Sequence, residues 1–183
     1  MSKDAKETAP PPAHETVAES EAVVDPAVRS LRVEKIGKNH ILASMGVGLI
    51  PIPIADIVGV LAVNLDLINK LSVEYGVPFH QDRGKAILTS LLGGLFPVAV
   101  GGVVISLLKF VPLVGQTTGA VALPVLSGAA TYAVYKVFVQ HYEAGGTFLD
   151  FDPKKMKKSF SEQFHAGKDV AADLHKNGAE KTV

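Results

Sequence analysis

The distribution of charged side chains constrains this chain more than any other feature of its sequence. Residues 1–40 carry seven acidic and six basic residues, and residues 141–183 carry seven of each. The hundred residues between them carry only nine charges: Asp56, Asp66, Lys70, Glu74, Asp82, Arg83, Lys85, Lys109 and Lys136. An average soluble segment of that length would carry about 25. The apolar centre must therefore be buried, either in a protein core or in a membrane.

Composition excludes several classes of function. The 183 residues hold 18 basic and 18 acidic side chains, so no net positive charge is available for nucleic-acid phosphates. The chain has no cysteine, which excludes disulfides, thiolate metal sites and a cysteine nucleophile. The sequence contains no complete phosphate loop, dinucleotide fingerprint or nucleophile elbow, and no two histidines at metal-binding helical spacing. We therefore predict a protein that is not an enzyme, with no cofactor and no nucleic-acid partner.

Helix signals predict an all-α fold with polar ends. Residues 1–24 are rich in Pro, Glu and Ala without apolar periodicity, which predicts a disordered tail. Asp25-Pro26 has the form of a helix start, so a helical domain is expected over 25–142. A second helix is predicted from about Ile54 to Tyr75, and Gly76 is expected to end it. Asp66 and Lys70 on this helix stand four residues apart and can pair.

A long hydrophobic helical hairpin over residues 86–135 is the predicted centre of the bundle. Residues 86–108 and 110–135 carry no charge, and each stretch exceeds the roughly 20 residues that span a bilayer. Gly and Pro interrupt both stretches, as is common in membrane helices. Membrane insertion is the favoured hypothesis; burial inside a soluble bundle or an oligomer is the alternative. The side chains predicted to insert are Leu91, Leu95, Val100, Val104, Val121 and Leu126.

The C-terminal arm is predicted to contain a connector and a basic amphipathic helix over 143–175, followed by a flexible, frayed tail over 176–183. Such a helix can lie on anionic headgroups, or it can dock on the domain through its apolar side chains. The candidate membrane-surface residues are Lys154, Lys155, Lys157, Lys158, Phe160 and Phe164. Basic residues cluster outside the hairpin rather than at its tip, which predicts that both termini are cytoplasmic.

Two polar side chains in apolar surroundings are candidate partner-facing or structural residues. Asp56 precedes an apolar run, where it can face a partner or occupy the first turn of the second helix. Asn64 lies between Val63 and Leu65, where a hydrogen-bonded core amide is the expected role.

Several short motifs resemble family 697 of the domains of unknown function. They are Pro51-Ile-Pro53-Ile-Ala-Asp56, Leu71-Ser-x-Glu-Tyr75-Gly76, Lys109-Phe110-Val-Pro112-Leu-Val-Gly115 and Gly128-Ala-Ala-Thr131-Tyr-Ala. The resemblance covers about residues 35–142. It implies a helical membrane-associated domain of the bacterial inner membrane or an internal membrane, working with a GTPase partner. Because this chain has no GTPase domain in its sequence, that partner would act in trans.

Two functional hypotheses follow from the sequence. The first is a non-enzymatic membrane-associated adaptor or anchor that binds a lipid membrane and a GTPase or membrane-remodelling partner. The second is a soluble homo-oligomeric scaffold whose hydrophobic hairpin is buried between copies. A pore or carrier is disfavoured, because the two stretches lack the charges that usually line an ion or substrate path.

Overall fold

Five α-helices make up the described part of the chain. The computed structural model describes residues 25–49, 53–95 and 115–180, and side chains over 25–49, 58–93 and 123–178. The helices are α1 (Pro26–Val47), α2 (Pro53–Glu74), α3 (Gln81–Leu95), α4 (Gly115–Glu143) and α5 (Pro153–Glu180). These residues contain no strand, so the predicted all-α fold is confirmed. The predicted tail 1–24 and residues 181–183 lie outside the described residues.

The helix boundaries follow the signals that the sequence carries. The Asp25 carboxylate accepts a 2.9 Å hydrogen bond from the Ala27 backbone N–H and caps α1. The Asp152 carboxylate accepts from the Lys154 backbone N–H at 2.9 Å at the start of α5. In both cases a proline follows the aspartate, where the first helical turn needs no N–H donor. At Gly76 the backbone takes a φ of 65°, a left-handed conformation that glycine adopts without steric cost.

Helix α4 is the central helix of the bundle. It packs against α1, α2 and α5, while α3 contacts α2 and α5. Its described part is apolar on nearly every side, and its most buried residues are Ala129, Ala130, Thr131, Ala133, Val134, Val137 and Phe138, none more than 1% exposed. A helix that is hydrophobic all round is a buried helix, and here neighbouring helices of the same chain provide the cover.

Successive helices run in opposite directions and give the bundle two distinct ends. Arg32 of α1 pairs with Glu74 of α2 at 3.5 Å, whereas Gly59 of α2 lies against Val47 at the other end of α1. We call the first end, where α1, α3 and α5 begin, the polar pole. The second end, where α1 and α3 stop and α2 and α4 begin, is the apolar pole. The 22 residues of α1 separate the two poles by about 33 Å.

The stretch 86–135, predicted as a hydrophobic helical hairpin, is described only at its two ends, and both ends are helical. Its first residues belong to α3, which ends at Leu95, and its last residues belong to the central helix α4. Residues 96–114 lie outside the described residues. Within the described ranges, no helix combines the length and the apolar character needed to cross a bilayer. The described ends of the stretch lack charge because they form the core of the bundle.

Glycine allows α4 and α5 to approach closely. A Cβ atom at Gly167 would lie 2.9 Å from the carbonyl oxygen and 3.0 Å from the Cα atom of Ala129. Both are backbone atoms of α4, so the neighbour cannot yield without shifting a helix. Gly46 on α1 provides a contrast, because a Cβ atom there would meet nothing within 4 Å.

We predict that Gly167→Ala lowers the free energy of unfolding by about 1–3 kcal/mol, because overpacking at a helix contact outweighs the gain in helix propensity. The matched control Gly46→Ala should raise stability by about 0.5–1 kcal/mol, since it adds only propensity. Thermal unfolding followed by circular dichroism measures both. Equal stabilisation by the two substitutions would contradict the described α4–α5 contact.

Candidate functional site

The apolar pole presents three large exposed apolar side chains. Leu49, Val58 and Leu123 are 61%, 60% and 48% exposed. They belong to one end of the bundle, because Gly48 approaches the carbonyl oxygen of Leu123 and Gly59 approaches Val47. The connections from α1 to α2 and from α3 to α4 both join helix ends at this pole. The second connection, residues 96–114, contains a single charged side chain, Lys109.

The six side chains predicted to insert in a membrane are distributed between the core and the residues that are not described. Leu91 is 2% exposed in the main core, and Leu126 packs against the same core. These two leucines therefore contact the protein's own helices. Leu95 and Val121 lie in α3 and α4, with side chains outside the described set. Val100 and Val104 lie in the stretch 96–114, also outside it.

The basic helix α5 separates its charged and apolar side chains. Phe160 and Phe164, predicted as membrane-surface residues, are 1% and 8% exposed and belong to the main core. They are therefore turned toward the bundle, in the docking arrangement that the sequence left open. The lysines of the first two turns point to solvent instead; they are Lys154, Lys155, Lys157 and Lys158. Of the six predicted membrane-surface residues, only the four lysines are exposed at the surface.

We predict that Phe160→Ala lowers the free energy of unfolding by about 3–5 kcal/mol, because it leaves a cavity in the core. The control Lys157→Ala on the exposed face of the same helix should change stability by less than about 0.5 kcal/mol. Chemical denaturation of both variants measures the difference. A Phe160→Ala protein as stable as the unsubstituted chain would place this face of α5 outside the core.

Asn64 occupies the core position that its sequence context predicts. It is fully buried, and its Nδ2 donates to the Val60 carbonyl at 2.8 Å and to Thr131 Oγ1 at 3.1 Å. The second bond fixes α2 against the central helix. Its Oδ1 is buried without a hydrogen-bond partner among the described residues. Asp56, the other polar candidate, lies in the first turn of α2, with its side chain outside the described set.

A hydrogen-bonded cluster that the sequence did not predict joins α1 to α2. His40 places Nδ1 at 2.7 Å from the Ile36 carbonyl and Nε2 at 2.9 Å from Asp66 Oδ2. Lys70 donates to the same Asp66 oxygen at 2.7 Å, which confirms the predicted pair on α2. The Lys70 hydrogen bond lowers the pKa of Asp66, with His40 adding to the effect against partial desolvation. The signal that the sequence analysis missed is that His40 lies on the buried face of α1.

We predict that Asp66→Asn reduces stability at neutral pH by less than about 1 kcal/mol, because the carboxylate is half exposed. Because its pKa is lowered, the Asp66 carboxylate stabilises the fold at pH values above its ordinary pKa of 3.8. This contribution is lost as the pH falls below that value. The difference between wild type and Asp66→Asn should therefore shrink in acid. Melting temperatures across this range test it, with the exposed Asp82→Asn as control. A constant difference down to low pH would contradict the cluster.

A tightly held loop at the polar pole presents one leucine to solvent. Phe148 and Phe151 are buried, and the Phe151 ring stacks on Phe138 at 4.7 Å. Between them Leu149 is 73% exposed. The Arg83 guanidinium donates to the Leu149 carbonyl at 2.6 Å. The adjacent turn is closed by Asp150.

The carboxylate of Asp150 accepts from the backbone N–H of Thr147 at 2.6 Å and from its hydroxyl at 2.7 Å. These hydrogen bonds lower the pKa of Asp150, with the Thr147 hydroxyl as the largest cause. His141 also lies close to Thr147 and Asp150, at 2.9 Å from the Thr147 carbonyl and 3.6 Å from the Asp150 carboxylate. The loop conformation is therefore fixed by polar contacts on one side and by buried phenylalanines on the other.

The described residues place their polar groups in helix caps, interhelical pins and turns. Across the described ranges, no three His, Asp or Glu side chains are grouped so that they could hold a metal ion. The fold and its surfaces define a class of small all-α bundle whose apolar pole exposes Leu49, Val58 and Leu123 and whose polar pole bears a lysine cluster together with the exposed Leu149.

Comparison with known proteins places this bundle in a family. The family model described as "Domain of unknown function (DUF697)" matches residues 13–168, so the chain belongs to this family, as its motifs predict. The chain is also 40% identical over 151 residues to Magnetosome membrane protein 22 of Magnetospirillum gryphiswaldense. That match covers 82% of this chain and 77% of the relative. No solved structure matches the chain.

Proposed function

We propose that this protein is a non-enzymatic membrane-associated adaptor whose apolar pole faces the lipid bilayer. The observation that carries the proposal is the similarity to a magnetosome membrane protein over most of both chains. By that similarity, the proposed location is the bacterial inner membrane or an internal membrane such as that of a magnetosome.

The unequal distribution of charge between the two poles supports this orientation. Leu49, Val58 and Leu123 are exposed at the end where the nearly charge-free stretch 96–114 begins and ends. Each Å² of apolar surface moved out of water contributes roughly 25 cal/mol, so lipid contact at this end is favourable. The polar pole carries ion pairs and four exposed lysines. Basic residues favour the cytoplasmic side, so the polar pole and both termini are proposed to face the cytoplasm.

The partner proposed for the adaptor is a GTPase acting in trans. This part of the proposal is supported by the family resemblance alone. The chain carries no complete phosphate loop of its own, so nucleotide hydrolysis would be supplied by that partner. A pull-down of the membrane-bound protein, with and without a non-hydrolysable GTP analogue, tests for nucleotide-dependent association.

A soluble homo-oligomeric scaffold is the second candidate, and one observation favours it. Val28, Leu31 and Val73 are 46%, 67% and 73% exposed on α1 and α2, away from the apolar pole. Leu31 and Val73 precede Arg32 and Glu74, which pair across the two helices. A second copy could cover these side chains. A monodisperse oligomer in the absence of detergent would support the scaffold over the membrane adaptor.

We predict that the double substitution Val100→Asp and Val104→Asp releases the protein from native membranes on carbonate extraction, because two charges in this stretch oppose transfer into lipid. The wild type should remain in the pellet until detergent is added. The control Val73→Asp places a charge at an exposed position near the polar pole and should leave the protein in the pellet. If the folded double variant stays in the pellet, the proposal that this stretch contacts lipid is wrong.

A further inference from the structure

The surface lysines of α5 lie at the pole opposite the proposed membrane contact. Helix α5 begins directly after the connector that follows α4, so Lys154 and Lys155 of its first turn lie at the same pole as the exposed Leu149. The apolar pole is about 33 Å away along the bundle. A flat bilayer that contacts the apolar pole therefore does not reach these lysines.

The lysines occupy a position that is unfavourable for the isolated helix. The N-terminal end of a helix carries a partial positive charge, which repels cations. The first turn of α5 contains no acidic residue beyond its cap. Among the described residues, Lys154, Lys155 and Lys157 form no ion pair, while Lys158 lies 4.0 Å from Glu162. The cluster is thus poorly compensated within its own chain.

Leu149 adds an apolar contact to the same surface. Its two phenylalanine neighbours are buried, and Arg83 holds its backbone carbonyl. The side chain is therefore held outward by a fixed loop, which lowers the entropic cost of binding a partner. An exposed, preorganised leucine at the same pole as unpaired lysines fits a segment that is both acidic and apolar.

We propose that Leu149, Lys154 and Lys155 form a docking surface for an acidic segment of a partner protein, with an apolar side chain of that segment seated on Leu149. The inference rests on the proposed adaptor function, because it identifies the surface that faces away from the membrane. It requires only that the partner present carboxylates and one apolar group within the reach of this surface.

The charge pattern favours a protein over a second anionic membrane. Asp82, Asp150 and Asp152 lie among the basic residues of the same pole, where Asp82 is 3.9 Å from Lys85. A uniformly negative lipid surface would be repelled by these carboxylates as well as attracted by the lysines. A protein segment can place its own carboxylates against individual lysines and leave the aspartates facing water.

The test is photo-crosslinking in cells with the full chain, using benzoylphenylalanine at position 149. The expected result is an adduct with a protein peptide rich in Asp and Glu, identified by mass spectrometry. The double substitution Lys154→Glu and Lys155→Glu should reduce its yield by about tenfold, equivalent to 1.4 kcal/mol. The control Lys176→Glu changes an exposed lysine near the other end of α5 and should keep the yield.

Three results would overturn the proposal: a lipid adduct, no adduct, or a protein adduct whose yield is insensitive to the charge reversal. Unfolding does not confuse the outcome, because glutamates at a helix N-terminus should keep or raise the melting temperature. Carbonate extraction of the same cells separates this proposal from the membrane proposal. If the protein is released by carbonate while the charge-sensitive protein adduct persists, the membrane contact fails and the docking surface stands.

Discussion

Burial of the apolar helix α4 by α1, α2 and α5 is the interaction on which the rest of the structure depends. A helix with apolar residues on nearly every side cannot remain exposed to water, so its neighbours must cover it. Small residues allow the covering helices to approach α4 closely, as at the contact of Gly167 with Ala129. Two polar pins then fix the register of α2 on α4: Asn64 binds Thr131, and Ser72 lies 2.9 Å from the hydroxyl of Tyr142. Burial raises the pKa of Tyr142 to about 12.

The sequence predicts the local structure well, because its signals are local. Asp25 and Asp152 mark the helix starts, and Gly76 marks a helix end. The sequence does not distinguish protein from lipid as the cover for an apolar helix, since both demand the absence of charge. Leu91 illustrates this limit, because it satisfies a membrane pattern and lies in the core. The contact of His40 with Asp66 joins residues 26 positions apart, and no local spacing signals such a pair.

Alternating helix directions convert one linear charge pattern into two different ends. Each described helix runs from one pole to the other, and successive helices run in opposite directions. The low-charge connection 96–114 therefore meets the bundle at the same end as the exposed Leu49, Val58 and Leu123. The lysines of α5 and the fixed loop around Leu149 meet at the other end. This arrangement is the structural basis of the proposed adaptor, in which one end contacts lipid and the other a partner.

Depth-dependent quenching tests the proposed orientation most directly. The chain has no cysteine, so single cysteines can be introduced at Leu123 and Leu149, two exposed leucines at opposite poles. Each is labelled with an environment-sensitive fluorophore, and the protein is reconstituted in vesicles that contain brominated lipids. The proposed orientation predicts strong quenching of the label at position 123 and little quenching at position 149. Quenching at position 149 that equals or exceeds that at position 123 would contradict the orientation of the bundle.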